Sequence, residues 1–349
     1  MINGIIAIGV IIILLILVVL FRVQTLLNVA KDNANKRVTG SNKIHPVLFI
    51  LFLLFGFGFF FWYSGTYFDD YTLPIASEHG KDTDSLFWIT TAITGVVFVI
   101  THILLFVFPA QYQYSEKRKA KFYPDNNKLE LAWTVIPAIV LAVLIYNGWK
   151  TWSYIMDKSP ENSEVIEIYA YQFGWSARYP GADGQLGEHD FRLIDAVNAF
   201  GIDVTDENAL DDITPGEIHI PKGVPVEFKI RAKDVIHSLF IPEFRLQMNA
   251  VPGMTTRFWF TPTHSTQEMR DLKNDQEWDY KIVCNKICGR AHYSMLQRIV
   301  VDEPEDYKKW LAEQKSFLKQ NPDYMAKVPQ TMKELAMVKA GLDQPVSNQ

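Results

Sequence analysis

Four stretches of the chain carry almost no charge: residues 4–20 (GIIAIGVIIILLILVVL), 46–63 (PVLFILFLLFGFGFFFWY), 86–108 (LFWITTAITGVVFVITHILLFVF) and 132–149 (AWTVIPAIVLAVLIYNGW). Each is near the roughly 20 apolar residues that an α-helix needs to cross a hydrocarbon core, so the pattern predicts four transmembrane helices. Their interruptions, His102, Trp133, Pro137 and small residues, are tolerated inside helix bundles. After Lys150 the pattern shortens to alternating or β-rich runs: 164–175, 216–230, 235–242, 255–262, 277–284 and 296–303. Short strands separated by Gly and Pro predict a β-sandwich or barrel. The polar segment 180–215 reads as a surface excursion, 303–320 as a helix with Tyr307, Trp310, Leu311 and Phe317 on one face, and the tail with Pro322, Pro329 and Pro345 as loosely ordered.

Charge adds an orientation. Links 21–45 (Arg22, Lys31, Lys36, Arg37, Lys43) and 109–131 (Lys117, Arg118, Lys119, Lys121, Lys128) are basic and belong on the cytoplasmic side. Link 64–85 holds Asp69, Asp70, Glu78, Asp82 and Asp84 against Lys81 and fits the outer side, which places both termini outside. The first apolar run lacks the basic start and small-residue cleavage site of a signal peptide, so a retained helix is expected. From residue 150 onward there are 23 Lys plus Arg and 30 Asp plus Glu, a net −7 where the whole chain carries −5. The outer domain is acidic, which suits a basic partner.

The only two cysteines stand in CNKICGRAHYSM, residues 284–295. A disulfide across three residues would be strained and would close almost no loop. Zinc would accept Cys284, Cys288 and His292, but Met295 adds a thioether, and thiolate with thioether suits a soft metal, copper first. His237, behind Asp234 in KDVIHSLF, is a fifth candidate that a sandwich could bring beside this loop. Metal ligands on the end loop of a sandwich are how cupredoxin domains hold copper. Two thiolates four residues apart can bridge two copper ions, each of which then needs its own imidazole and a weak axial ligand.

These residues resemble the binuclear copper A motif of subunit II of haem-copper cytochrome c oxidases. The family's upstream His, then Cys-x-x-x-Cys-x-x-x-His-x-x-Met, is met by His237, Cys284, Cys288, His292 and Met295, and the resemblance implies the backbone carbonyl of Lys286 as the remaining ligand. KLELAWTVIPAIVL repeats the family's Glu-x-x-Trp-Thr-x-x-Pro with Glu130, Trp133 and Pro137, and the likeness runs from about residue 86 to 310. It implies a membrane-anchored all-β protein, with four transmembrane helices followed by a cupredoxin-like domain. Residues 1–63 would be two added helices, 64–150 the family hairpin with its outer linker, 151–310 the copper A domain, and 311–349 a C-terminal helix and tail. The implied activity is an electron relay. Copper A accepts electrons from a cytochrome c and passes them to haem and copper in subunit I, where oxygen becomes water and protons are pumped. The implied location is an energy-transducing bacterial plasma membrane, with the copper domain on the periplasmic side.

Three departures qualify the likeness. Lys286 replaces a glutamate that in the family helps bind magnesium; an ammonium cannot, so Lys286 is expected to meet an acidic group of subunit I. Phe173 replaces the first Trp of Gln-Trp-x-Trp, the family's point of electron arrival, while Trp175 keeps the second, so either ring could lie under the donor surface or the donor could dock differently. The two helices before residue 64 would pack on another subunit or lengthen the anchor, with Gly56 and Gly58 allowing close approach.

Glu130 is a proton-path candidate by resemblance, or else a solvated boundary carboxylate. Asp234 belongs to a donor-facing acidic patch or to a local hydrogen-bond network. His102 is expected to pair with a neighbouring helix, and His79, His189, His219 and His264 to lie at the surface. The intact ligands speak against quinol oxidase subunit II, and the absence of a large His-rich copper region speaks against nitrous oxide reductase. A zinc-stapled membrane anchor is the alternative from another class. No Cys-x-x-Cys-His is present, so the donor must be a separate protein or a neighbouring complex; the sequence shows no nucleotide-binding loop, and no nucleic-acid partner is expected.

Overall fold

The computed structural model describes residues 2–30, 40–115 and 117–342; Lys31, Lys36, Arg37 and Pro345 lie outside the described residues. The chain divides into two compact units, Met1–Tyr71 with Thr91–Val135, and Thr72–Thr90 with Ile136–Gln349.

The apolar runs form helices longer than the runs themselves: α1 (Ile2–Ala30), α2 (Gly40–Thr66), α3 (Glu78–Gln111) and α4 (Asn127–Met156). By length and composition α2, α3 and α4 can cross a membrane, and within α1 the described apolar stretch is Ile11–Leu27. Within the first unit α2 meets α3 through aromatic rings, Phe52 to Phe106 at 5.2 Å, Phe60 to Phe98 at 5.5 Å and Phe57 to His102 at 6.1 Å between centroids. His102 therefore touches the neighbouring helix only through its ring, because its Nδ1 lies 2.8 Å from the Phe98 carbonyl of its own helix. Among the described residues of this chain nothing comes within 4 Å of a Cβ built at Gly56 or Gly58.

In the second unit the alternating runs become two facing sheets. One has the order β2 (Gly174–Arg178), β1 (Glu164–Tyr171), β4 (Val226–Ala232), β7 (Thr256–Phe260). The other has the order β3 (Ile218–Pro221), β9 (Leu296–Asp302), β8 (Tyr280–Cys284), β5 (His237–Ile241), β6 (Leu246–Ala250). The period of two turns Ile166, Ile168 and Ala170 of β1 inward with Phe228 and Ile230 of β4, against Leu239, Ile241, Tyr280, Ile282 and Ile299 of the second sheet. The run 164–175 is thus two strands, and 216–230 is two strands in different sheets.

The other face of β1 is also covered. Tyr169 packs on Phe200 of the 180–215 excursion, and Phe200, Ile202, Val204 and Leu210 form a second core with Phe317, Leu318, Tyr324, Val328 and Ala336. The expected single helix 303–320 is therefore broken. It ends at Glu313 (α6, Pro304–Glu313, after α5, Thr266–Lys273), and Phe317 turns away into that second core. The tail is ordered rather than loose as far as the described residues go, with α7 at Lys333–Lys339. Glu167, on the same outer face of β1, is bonded by Arg178 at 2.5 Å and by Arg231. Those two guanidiniums also reach Asp212 at 2.9 Å, the Gly187 carbonyl at 3.0 Å and the Phe200 carbonyl at 2.9 Å, fastening the excursion to the sheet. Burial opposes the Glu167 charge, but Arg178 and Arg231 outweigh it and hold its carboxyl below the usual range.

Candidate metal centre

Three neighbouring strand ends assemble the site. His237 opens β5, Cys284 closes β8 opposite Leu239, and Met295 leads into β9. The Asn285 amide, bonded 2.9 Å to the Ser238 carbonyl, starts the loop. Gly289 bends it at φ +139°, a conformation that favours glycine, and a turn at His292–Ser294 closes it.

The donors converge. Cys284 Sγ and Cys288 Sγ lie 3.8 Å apart, well beyond a disulfide bond of about 2.05 Å. Each sulfur has its own imidazole: Cys284 Sγ is 3.9 Å from His237 Nδ1, and Cys288 Sγ is 3.5 Å from His292 Nδ1. Each also has a weaker donor, the Lys286 carbonyl 3.2 Å from Cys284 Sγ and Met295 Sδ 3.8 Å from Cys288 Sγ. The ligand atoms of His237, Cys284 and Cys288 all fall within 4.8 Å of one another. Tetrahedral zinc uses four ligands; six donors in two equivalent half-sets, each with thiol, imidazole and a weak donor, fit a pair of soft metal ions.

The surroundings orient these donors. Asp234 Oδ1 lies 2.8 Å from His237 Nε2, so Nε2 donates the proton and Nδ1 is left free to face Cys284. Asp234 also accepts from the amides of Val235 at 2.7 Å and Gln172 at 2.8 Å. Burial works against its charge, but these bonds prevail and keep its carboxyl below the ordinary range. Across the loop, Gln172 Nε2 donates to the Cys288 carbonyl at 2.5 Å. Burial, with the neighbouring Cys284, pushes the Cys288 thiol up to about 11 in the metal-free protein.

Residues 62–147 match the family model for the cytochrome c oxidase subunit II transmembrane domain, and residues 165–303 match that for its periplasmic domain. The chain belongs to the cytochrome c oxidase subunit II family. Among its relatives is an alternative cytochrome c oxidase subunit 2 of Bradyrhizobium diazoefficiens, 34% identical over 251 residues that cover 70% of this chain and 84% of the relative. A probable cytochrome c oxidase subunit 2 of Rickettsia bellii is 30% identical over 239 residues, covering 68% and 80% respectively. The cytochrome c oxidase subunit 2 of Thermostichus vulcanus is 28% identical over 261 residues, covering 67% and 76%. Membership makes the chain a membrane component of a respiratory oxidoreductase, the subunit through which electrons enter at copper A.

The other candidates of this subunit II fall in different places. Trp175 is buried, its ring edge-on to His237 at 6.1 Å. Phe173 is half-buried and lies over Gly289, where a Cβ would come within 3.0 Å of its ring. The Lys286 side chain is exposed. Glu130 is exposed in the first turn of α4, after Asn126, whose side chain accepts from the Leu129 amide at 3.0 Å. Two of the four histidines expected at the surface are buried. His79 lies edge-on to Trp259 at 4.3 Å, and His219 stacks on Trp310 at 4.1 Å with Nδ1 2.6 Å from Asp302. His189 remains exposed and His264 is half-buried beside Thr263. The site residue that the sequence presented only as one of two options is Asp234. The spacing Asp-x-x-His was the available signal, since a carboxylate three residues before a metal-ligand histidine can reach its far nitrogen.

Proposed function

We propose that His237, Cys284, Cys288, His292, Met295 and the Lys286 carbonyl hold the two copper ions of a copper A centre. Through it the subunit accepts electrons one at a time from a cytochrome c, either a separate protein or a domain of a neighbouring complex. It passes them to the haem and copper of subunit I, where oxygen is reduced to water and protons are translocated. The observation that carries this reading is the pair of sulfurs 3.8 Å apart, each with its own imidazole. When bound, the two coppers supply reversible one-electron chemistry spread over both metals.

The chain's own residues keep that chemistry confined. Asp234 fixes the His237 tautomer, Gln172 ties down the carbonyl of Cys288, and β5, β8 and β9 hold the ligands from a packed core, so little has to move when an electron arrives. Phe173, over the copper loop, is the ring nearer the surface and receives the electron; Trp175 supports His237 from inside. Lys286 meets an acidic group of subunit I in place of a magnesium ion. Glu130 opens a proton path at the inner end of α4. Residues 1–63 add two helices to the hairpin 64–150, the copper domain spans 151–310, and both termini face outward in a bacterial plasma membrane.

The test is oxygen uptake by the assembled oxidase supplied with reduced cytochrome c. The reading expects uptake that is lost in Cys288→Ser together with one of the coppers. Full uptake in that variant would contradict it.

A further inference from the structure

Arg245 occupies the corner between β5 and β6 with φ +53°, a left-handed conformation that glycine or asparagine adopts more easily than arginine. Its side chain accounts for the choice. Nε and Nη2 grip the two oxygens of Asp84 at 2.7 and 2.9 Å, Nη1 donates to the Pro242 carbonyl at 2.7 Å, and Nη2 also donates to the Leu73 carbonyl at 2.8 Å. A forked pair of this kind fixes direction as well as distance. Asp84 lies in the first turns of α3, which up to Thr90 belong to the same compact unit as the copper domain.

Neutral contacts surround the pair. The Ala76 amide donates to the Glu243 carbonyl at 2.8 Å, and the Ser77 hydroxyl donates to the Phe244 carbonyl at 2.6 Å. Gly80 sits so close that an added Cβ would meet Ile75 at 2.7 Å and Arg245 Cγ at 3.3 Å. On the strand side, β5 pairs with β6 from Ile241↔Leu246 at the Arg245 corner to His237↔Ala250 at the copper end. Four residues separate the corner from the ligand along β5, about 13 Å at strand rise. One hairpin therefore carries the copper ligand His237 at its open end and a bidentate grip on the start of α3 at its closed end.

We propose that Arg245 and Asp84 are positioning residues that set the copper hairpin on the start of α3 and so fix the distance over which the electron leaves. The proposal rests on the copper A reading above. The step is a bare electron transfer: the reduced copper pair loses one electron, a haem iron of subunit I gains it, and no bond or proton moves. Its rate depends on separation, so a hairpin freed from α3 transfers more slowly while its copper site remains intact.

The experiment compares the wild-type oxidase with Asp84→Asn, Arg245→Gly and the charge-conserving Asp84→Glu. Copper content and the copper electron paramagnetic resonance spectrum are expected to be unchanged in all three. Flash-triggered reduction of haem by copper A is expected to slow in Asp84→Asn and Arg245→Gly and to recover its wild-type rate in Asp84→Glu. A readout free of metal accompanies it. In the copper-free full-length chain in detergent, amides 75–84 should exchange hydrogen faster in Asp84→Asn while those of 284–295 keep their wild-type rates. Wild-type transfer and wild-type exchange in the variants would overturn the proposal. So would failure of both Asp84→Asn and Arg245→Gly to fold, which would make the pair a folding contact. If the wild-type oxidase shows no copper pair, the copper A reading fails instead, and the exchange rates still judge the clamp.

Discussion

Trp175 stands edge-on to His237, ring centroids 6.1 Å apart at 64°, with the indole only 3% exposed. A ring so enclosed acts on the imidazole by packing. Trp175→Ala is expected to cost about 3–5 kcal/mol through the cavity it leaves and to weaken copper retention, and Trp175→Phe to keep both copper and fold. Phe173→Ala should slow reduction by cytochrome c with copper content unchanged. Thermal melts, copper analysis and stopped-flow reduction separate the two rings; slow reduction in Trp175→Phe with normal rates in Phe173→Ala would reverse their roles.

Gly289 leaves no room for a side chain. A Cβ there meets Gln172 Nε2 at 2.8 Å and the Phe173 ring at 3.0 Å, at φ +139°. Gly289→Ala should push the 172–173 turn off the copper loop, break the bond from Gln172 to the Cys288 carbonyl, and destabilise the domain by roughly 1–3 kcal/mol. Denaturant melts of the copper-free chain read the loss, and a faster release of copper to a chelator should accompany it.

Copper loading should depend on pH. With its thiol pushed up to about 11, Cys288 holds its proton at neutrality and must give it up to the metal. Apparent affinity should therefore rise with pH through the neutral range, with protons released as copper binds. Titration in weakly and strongly buffered solutions measures the release; loading without proton release would count against thiolate ligation.

Glu167 links acid stability to the second core. Its folded carboxyl lies below the ordinary 4.5, so the stability it confers is present above that value and is lost as pH falls through the lower, folded one. Arg178→Met, which leaves Glu167 and Asp212 short of a cation, should cost about 3–5 kcal/mol at neutral pH. Proteolysis within 180–215 should rise in that variant.

The clustered donors were legible in the sequence because five of the six share one loop, and His237 carried its own local pattern. The second core was not. Phe200, Ile202, Val204 and Leu210 stand among acidic residues, and their partners Phe317, Leu318 and Tyr324 lie about a hundred residues downstream, so no local period announces them. Strand β6 was missed because LQMNA is an edge strand with Gln247 and Asn249 facing outward. Arg245 was hidden for a different reason: left-handed corners advertise themselves by Gly or Asn, and here a long side chain holds the corner through partners remote in sequence.

The most direct test of the central claim is a copper count joined to electron paramagnetic resonance on the full-length chain, purified in detergent and loaded with copper. The account predicts two coppers per chain and a hyperfine pattern from one unpaired electron shared equally by both nuclei. One copper with the pattern of a single nucleus, or zinc alone, would contradict it.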